Sequence, residues 1–221
     1  MKKLYILGSS GHAKVILDIA RSMNIYESIM FLDPLKKKGE LINDSLVYGN
    51  EDDVLNIHSL NLDHVDFFIG IGDNALREKI YTNLIKKNRN IFFTTLIHPS
   101  AIISKYSTIG NGSVIMPGVI INTNSIIGNF SIINTKAAVD HDCTVEDFSS
   151  LAPGVTLGGN VSIGKFSSIG LGANIIHGIK IGSEVVVGAN SLVMNDLHNN
   201  KVYYGSPCKE VRSRNHGDKY L

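Results

Sequence analysis

His141 and Asp142 stand side by side in the middle of the chain, an imidazole next to a carboxylate. Such a pair can serve as a general base, the acid orienting the ring and stabilising the imidazolium that forms when the other ring nitrogen takes a proton. Cys143 follows directly and offers a thiol. The opening of the chain points to a different chemistry. Leu4 to Leu7 reads as a short buried strand, Gly8-Ser9-Ser10-Gly11-His12 as a turn, and Ala13 to Met23 as a helix with Val15, Ile16, Ile19, Ala20 and Met23 at helical spacing. Strand, glycine turn and helix start together put free backbone N–H groups and the positive helix end where a phosphate can bind. The full G-x-G-x-x-G pattern of dinucleotide sites is missing, so the glycines equally fit a tight turn with no ligand. Asp33, at the end of a second strand over Ile29 to Leu32, is placed to accept bonds from a ribose or a base.

What positions His141 is a hexapeptide register. A branched aliphatic residue recurs every six positions from Ile103 through Ile109, Ile115 and so on to Val187 and Val193, sixteen sites without a miss. Four residues after each, up to Ser191, the side chain is small or β-branched, as at Ser113, Ser131, Cys143 and Ser167. Helices repeat near 3.6 and single strands at 2, so a period of six fits neither. It fits short strands joined by tight turns and wound into a parallel β-helix. With three faces, a coil takes about eighteen residues, and the run makes about five coils.

This register predicts directions. Val139 and Cys143 point inward, so the cysteine has a structural role, and His141 and Asp142 point outward. Eighteen residues after His141 stands Gly159, and eighteen further stands His177. With coils about 4.8 Å apart, a slender ligand could lie along this column with its reactive end at His141.

Before the repeat, Phe67 to Ile71 reads as a third strand, followed by Gly72-Asp73-Asn74 and a helix to about Lys87 with Asp73 as N-cap. Ile91 to Leu96 reads as a further strand, Lys36 to Asn50 as a polar loop, and Ile97-His98-Pro99 as the hinge into the repeat. Alternating strand and helix predict a small parallel α/β domain over residues 1–96, with the β-helix and a turn-rich, loosely ordered tail over 97–221. The formal net charge of +1 and the absence of a basic stripe argue against nucleic acid as the main partner. Two cysteines, one of them inward, do not suggest a disulfide scaffold. No apolar stretch approaches a membrane span, and the apolar run after Met1-Lys2-Lys3 is too short for a signal peptide. A reducing cytoplasm is the expected setting, and no metal site is expected.

Taken together, the unbroken hexapeptide run, Tyr5-Ile6-Leu7-Gly8-Ser9-Ser10-Gly11-His12, Phe67-Phe68-Ile69-Gly70-Ile71-Gly72-Asp73-Asn74, and Asn134 followed by His141-Asp142-Cys143 resemble the bacterial sugar-nucleotide acetyltransferases. Within these the chain is most similar to the bacillosamine-pathway N-acetyltransferases, with perosamine and sialic acid acetyltransferases nearby, and the likeness runs over nearly the whole chain. The resemblance implies a Rossmann-like α/β domain followed by a left-handed parallel β-helix, and a homotrimer with acetyl-CoA in the groove between adjacent β-helices. It also implies that a nucleotide-linked amino sugar is held by Ser10, Gly11, His12, Asp33, Pro34 and Gly72. By the same resemblance His141 is the base, Asp142 its partner and Asn134 a near neighbour, while Gly159, Leu171 and Ala189 meet the cofactor. One position departs from the family pattern: the bacillosamine enzymes carry a second histidine nine residues after the base, and here Ser150 stands there.

The reaction so implied is direct attack of a sugar amine on the thioester, with a backbone N–H, that of Gly159, facing the oxyanion. The expected acceptor is a UDP-linked 4-amino-4,6-dideoxy sugar. An O-acetyltransferase acting on a sialic acid is the alternative within enzymes. A non-catalytic trimer that only binds a nucleotide sugar is the alternative outside them, and it leaves the His141-Asp142 pair without a role.

Overall fold

A computed structural model of the chain describes residues 2–55 and 64–219. The first part is a five-stranded sheet flanked by helices. Strand β1 (Lys2–Leu7) is an interior strand: its run Leu4–Leu7 is buried and pairs in parallel with a strand on each side. Helix α1 (Gly11–Met23) follows and packs Ala13, Ile16, Leu17 and Ala20 inward, spaced at one helical face. It ends at Asn24, whose left-handed backbone (φ 54°) closes the last turn on the Arg21 carbonyl.

Strand β2 (Tyr26–Leu32) returns beside β1. The segment read as a polar loop instead carries a hairpin of β3 (Leu41–Ile42) and β4 (Ser45–Gly49). Its turn residues Asn43 and Asp44 both have positive φ (45° and 60°), the twist that suits a two-residue hairpin. A short helix α2 (Glu51–Leu55) comes next, then β5 (Val65–Ile69), buried throughout, and α3 (Asn74–Lys87). The strand order is β3-β4-β2-β1-β5, parallel except for the β3 edge. Asp73 caps α3 as expected, its carboxylate accepting from the Leu76 N–H at 2.8 Å. The strand expected over Ile91 to Leu96 does not form as a unit: Phe93 makes one bridge to Phe67, and Leu96–Ile97 already pairs with Val114–Ile115.

From Leu96 onward the chain is a left-handed parallel β-helix. Two-residue strands alternate among three faces, and paired residues are eighteen apart, as in Ile121↔Val139, Ile127↔Val145 and Ile133↔Leu151. The inward aliphatics from Ile115 to Val193 are almost fully buried, each worth about 1.5–3 kcal/mol. The corner serines are buried and join the coils. Ser131 Oγ donates to the Glu146 carbonyl and Ser149 Oγ to that of Gly164 (3.0 and 2.9 Å). The Ser131 N–H donates in turn to Ser113 Oγ (2.9 Å).

One residue in every six, from Gly112 to Asn190, takes a left-handed backbone at the turn. At one corner these are Phe130, Phe148 and Phe166, whose rings stack at 4.9 and 5.5 Å, within 8° of parallel. Helix α3 lies against this ladder. The buried guanidinium of Arg77 donates to the carbonyls of Phe130, Phe148, Ile71 and Gly72, and Asn74 donates to the Ser167 carbonyl. Beyond Val193 the expected turn at Ser206-Pro207 joins two strands, Lys201–Gly205 and Cys208–Ser213. The tail is more ordered than its charge suggested: Arg214 is buried and pairs with Glu184, which His216 also contacts. Tyr220 and Leu221 lie outside the described residues.

Candidate active site

His141 and Asp142 form the turn between strands Ala138–Val139 and Thr144–Val145, and both side chains face solvent. Asp142 has φ 58°, one of the left-handed corner positions, and this brings its carboxylate back to the preceding ring. His141 Nδ1 and Asp142 Oδ2 are 2.7 Å apart. The other carboxylate oxygen accepts from Asn124 Nδ2 at 3.2 Å. Asp140 Oδ1 accepts from the His141 backbone N–H at 2.8 Å and from Asn122 Nδ2 at 3.0 Å. The bond to Asp142 raises the imidazole pKa, and the bonds from His141 and then Asn124 lower that of Asp142.

The second ring nitrogen lies over Gly159. A Cβ built there would sit 2.5 Å from His141 Nε2, so any side chain at this position would occupy the space of the ring. The His177 ring is 6.3 Å from that of His141, on the predicted column. Cys143 is inward and fully buried, its Sγ directed at the Gly158 carbonyl (3.2 Å) where serines make the same link on other coils. Burial raises its pKa, the opposite of what an activated thiol needs.

Leu171 and Ala189 are exposed and stack one above the other, the Asn190 N–H donating to the Leu171 carbonyl at 2.7 Å. They occupy the corner before the strand pair that leads to the histidine column. Asn134 stands at that same earlier corner, its Oδ1 accepting from the Thr135 N–H (2.8 Å), and among the described residues it makes no hydrogen bond to His141. The expected neighbours are thus at opposite edges of one face. Ser150 is on the third face, where its hydroxyl donates to Ser168 Oγ at 3.3 Å.

In the α/β domain a cavity of about 480 Å³ opens where β1 meets α1, lined by Gly8, Ser9, Ser10, Asp33, Pro34 and residues of α3. Gly8 needs its hydrogen side chain, with φ +87° and Ile71 Cδ1 2.7 Å from where a Cβ would be. Ser10 is the N-cap in extended backbone, but its hydroxyl makes no capping bond. A Cβ on Gly11 would meet nothing within 4 Å, so the turn is open on its outer side. Asp33 is held at 2.5 Å by Ser9 Oγ and at 2.9 Å by the Leu35 N–H. His12 and Gly72 face each other outside the cavity lining. Burial, and then the Arg77 charge, push the His12 pKa down to about 4, so this imidazole is neutral. The cavity residues on α3, Leu76, Ile80 and Leu84, were not singled out from the sequence. Their four-residue spacing was the available signal.

A hexapeptide β-helix carrying an outward His-Asp pair, behind a sheet with an open glycine turn, defines the class of two-domain acyltransferases. Residues 3–84 match the PglD N-terminal domain family, and residues 96–135 match the bacterial transferase hexapeptide family of six repeats. The chain belongs to the bacterial hexapeptide-repeat sugar-nucleotide acetyltransferases. The solved acetyltransferase domain of PglB from Neisseria gonorrhoeae, bound to acetyl coenzyme A, is 34% identical with a TM-score of 0.88, over 95% of this chain and 99% of that one. PerB from Caulobacter crescentus, solved with CoA and GDP-perosamine, is 32% identical with a TM-score of 0.85, over 96% and 98%. UDP-N-acetylbacillosamine N-acetyltransferase of Bacillus subtilis is 35% identical over 114 residues, 52% of this chain and 51% of that relative. The chain thus spans about half the length of this curated relative. No described helix is long and apolar enough to cross a membrane.

Proposed function

We propose that the chain is an acetyl-CoA-dependent N-acetyltransferase acting on a nucleotide-linked 4-amino-4,6-dideoxy sugar, with UDP as the nucleotide and a surface glycan or glycoprotein as the destination. The observation that carries this reading is the His141 geometry: Nδ1 is tied to Asp142, while Nε2 faces the space above Gly159. A ring held so carries its proton on Nδ1 and keeps a lone pair on Nε2. In the reaction the sugar amine attacks the thioester carbonyl carbon as its proton passes to His141 Nε2. The carbon–sulfur bond then breaks, and the CoA sulfur takes the proton back from the ring. The Gly159 N–H makes no hydrogen bond among the described residues, so it is available to the oxyanion.

Residues 1–96 hold the nucleotide sugar, with its phosphates at the Ser10–Gly11 helix start and Asp33 and Pro34 on the far wall of the cavity. Residues 97–221 carry out acyl transfer. Leu171, Ala189 and Asn134 lie at one edge of a β-helix face and His141 with Gly159 at the other, and Ile102 and Ile120 are exposed on that face at 66% and 41%. A homotrimer in which this face meets the neighbouring β-helix would cover these aliphatics and enclose acetyl-CoA. Unpaired Cys143 and Cys208 agree with a cytoplasmic site of action.

The test is acetyl-CoA consumption with UDP-, GDP- and dTDP-linked 4-amino sugars and with a sialic acid. Turnover with a UDP-4-amino sugar is expected. Turnover with the sialic acid alone, or with none of them, would overturn the reading.

A further inference from the structure

We propose that Asn124 is a positioning residue: its amide fixes the Asp142 carboxylate and, through it, the orientation and tautomer of His141. The proposal rests on the reading of His141 as the base. Asn124 and Asp142 occupy the same corner one coil apart, with nearly equal left-handed backbones (φ 59° and 58°). This stacks their side chains, so Asn124 Nδ2 reaches Oδ1 at 3.2 Å and leaves Oδ2 to the imidazole at 2.7 Å. Each carboxylate oxygen then has one assigned partner.

The need for such an anchor follows from exposure. The His141 and Asp142 side chains are 44% and 45% exposed, and a solvated pair of this kind holds its geometry weakly by itself. A neutral amide fastens the carboxylate without competing for the proton, because a carboxamide neither gives nor takes one at working pH. Asn122 repeats the device one step earlier: it holds Asp140, which binds the His141 backbone N–H. The side chain and the main chain of the histidine are thus each fixed by an Asn-Asp pair eighteen residues apart. The titratable groups facing His141 are Asp140, Asp142 and, two coils on, His177.

Asparagine also favours left-handed backbone, which would explain Asn124 without any role for its amide. Two substitutions separate these readings. Asn124→Gly keeps the backbone freedom and removes the amide. Asn124→Asp keeps the shape but turns the donor into an acceptor that repels Asp142. In NMR titrations of the full-length protein without substrate, Asn124→Gly is expected to lower the His141 pKa towards the ordinary imidazole value and reduce the Nδ1–H population. In the acetyl-transfer assay both variants are expected to lose about 10-fold in kcat with KM for acetyl-CoA unchanged. For Asn124→Gly the acid limb of the kcat profile should move to lower pH. An unchanged His141 titration in Asn124→Gly overturns the proposal, and so does a wild-type kcat in both variants. The NMR measurement needs no acceptor, so absence of acetyl transfer in the unmodified protein would count against the functional reading alone.

Discussion

His141 Nε2 stands directly over Gly159, one coil below it in the stack, with only 2.5 Å between the ring nitrogen and the place a Cβ would take. Alanine at 159 would therefore displace the imidazole and fill the space where the amine and the thioester must meet. Gly159→Ala is expected to lower kcat at least about 100-fold, since misplacement by about 1 Å is enough for such a loss. Its fold should survive, because the neighbour that must yield is an exposed side chain. Steady-state kinetics with circular dichroism checks both halves, and near-normal turnover would remove Gly159 from the site.

Asp142 raises the His141 pKa, and the base works only when neutral. The protonated form thus persists to higher pH than for a free imidazole. The kcat/KM profile is expected to climb through a midpoint above about 6.5, the ordinary histidine value. In Asp142→Asn the midpoint should fall and the plateau drop by roughly 10- to 100-fold as the ring loses its fixed tautomer. A profile flat from about pH 5 to 9 would contradict a histidine base.

Cys143→Ser is expected to keep activity within about 3-fold and stability within about 1 kcal/mol. Serines at the equivalent corners, Ser131 and Ser149, make the same link to a carbonyl in the next coil. Loss of turnover in this variant with the fold intact, or rapid inactivation of the unmodified protein by a thiol reagent at Cys143, would revive a covalent mechanism.

His12 ties stability to pH. Its folded pKa of about 4 lies below the unfolded value near 6.5, so between these limits the unfolded chain binds a proton that the folded chain does not. Stability should therefore rise with pH across that window, and acidifying from pH 7 to 4 should remove up to roughly 3 kcal/mol through this group. Urea unfolding at several pH values measures the slope, and His12→Asn should flatten it.

The sequence was most informative where one period repeats. A constant step of eighteen residues makes stacking a matter of counting, which is why the outward His141, the inward Cys143 and the column through Gly159 and His177 were all legible. The same counting run backwards from Asp142 leads to Asn124, whose contribution went unread because one left-handed asparagine resembles another. Asn134 was assigned by resemblance and not by counting; within one chain it lies at the other edge of the face from His141. The β3–β4 hairpin was missed because its turn is Asn43-Asp44, without the glycine that usually marks one. The tail looked loose because the partner of Arg214, Glu184, lies thirty residues earlier in sequence. Phenylalanine in left-handed turns runs against local preference. The ladder is held by what packs on it: Tyr81 of the docked α3 lies 4.5 Å from the Phe130 ring, Phe93 5.3 Å from that same ring, and His216 5.0 Å from Phe166.

Arg77 draws acceptors from both halves of the molecule at once: the carbonyls of Ile71 and Gly72 belong to the sheet domain, those of Phe130 and Phe148 to the coils. One cation thus acts as a rivet, and neither half can melt without stripping it of partners. Heat should accordingly unfold the two halves in a single transition. A ligand bound only at the glycine turn would then protect coils it never touches, raising the melting temperature of the whole chain by simple mass action.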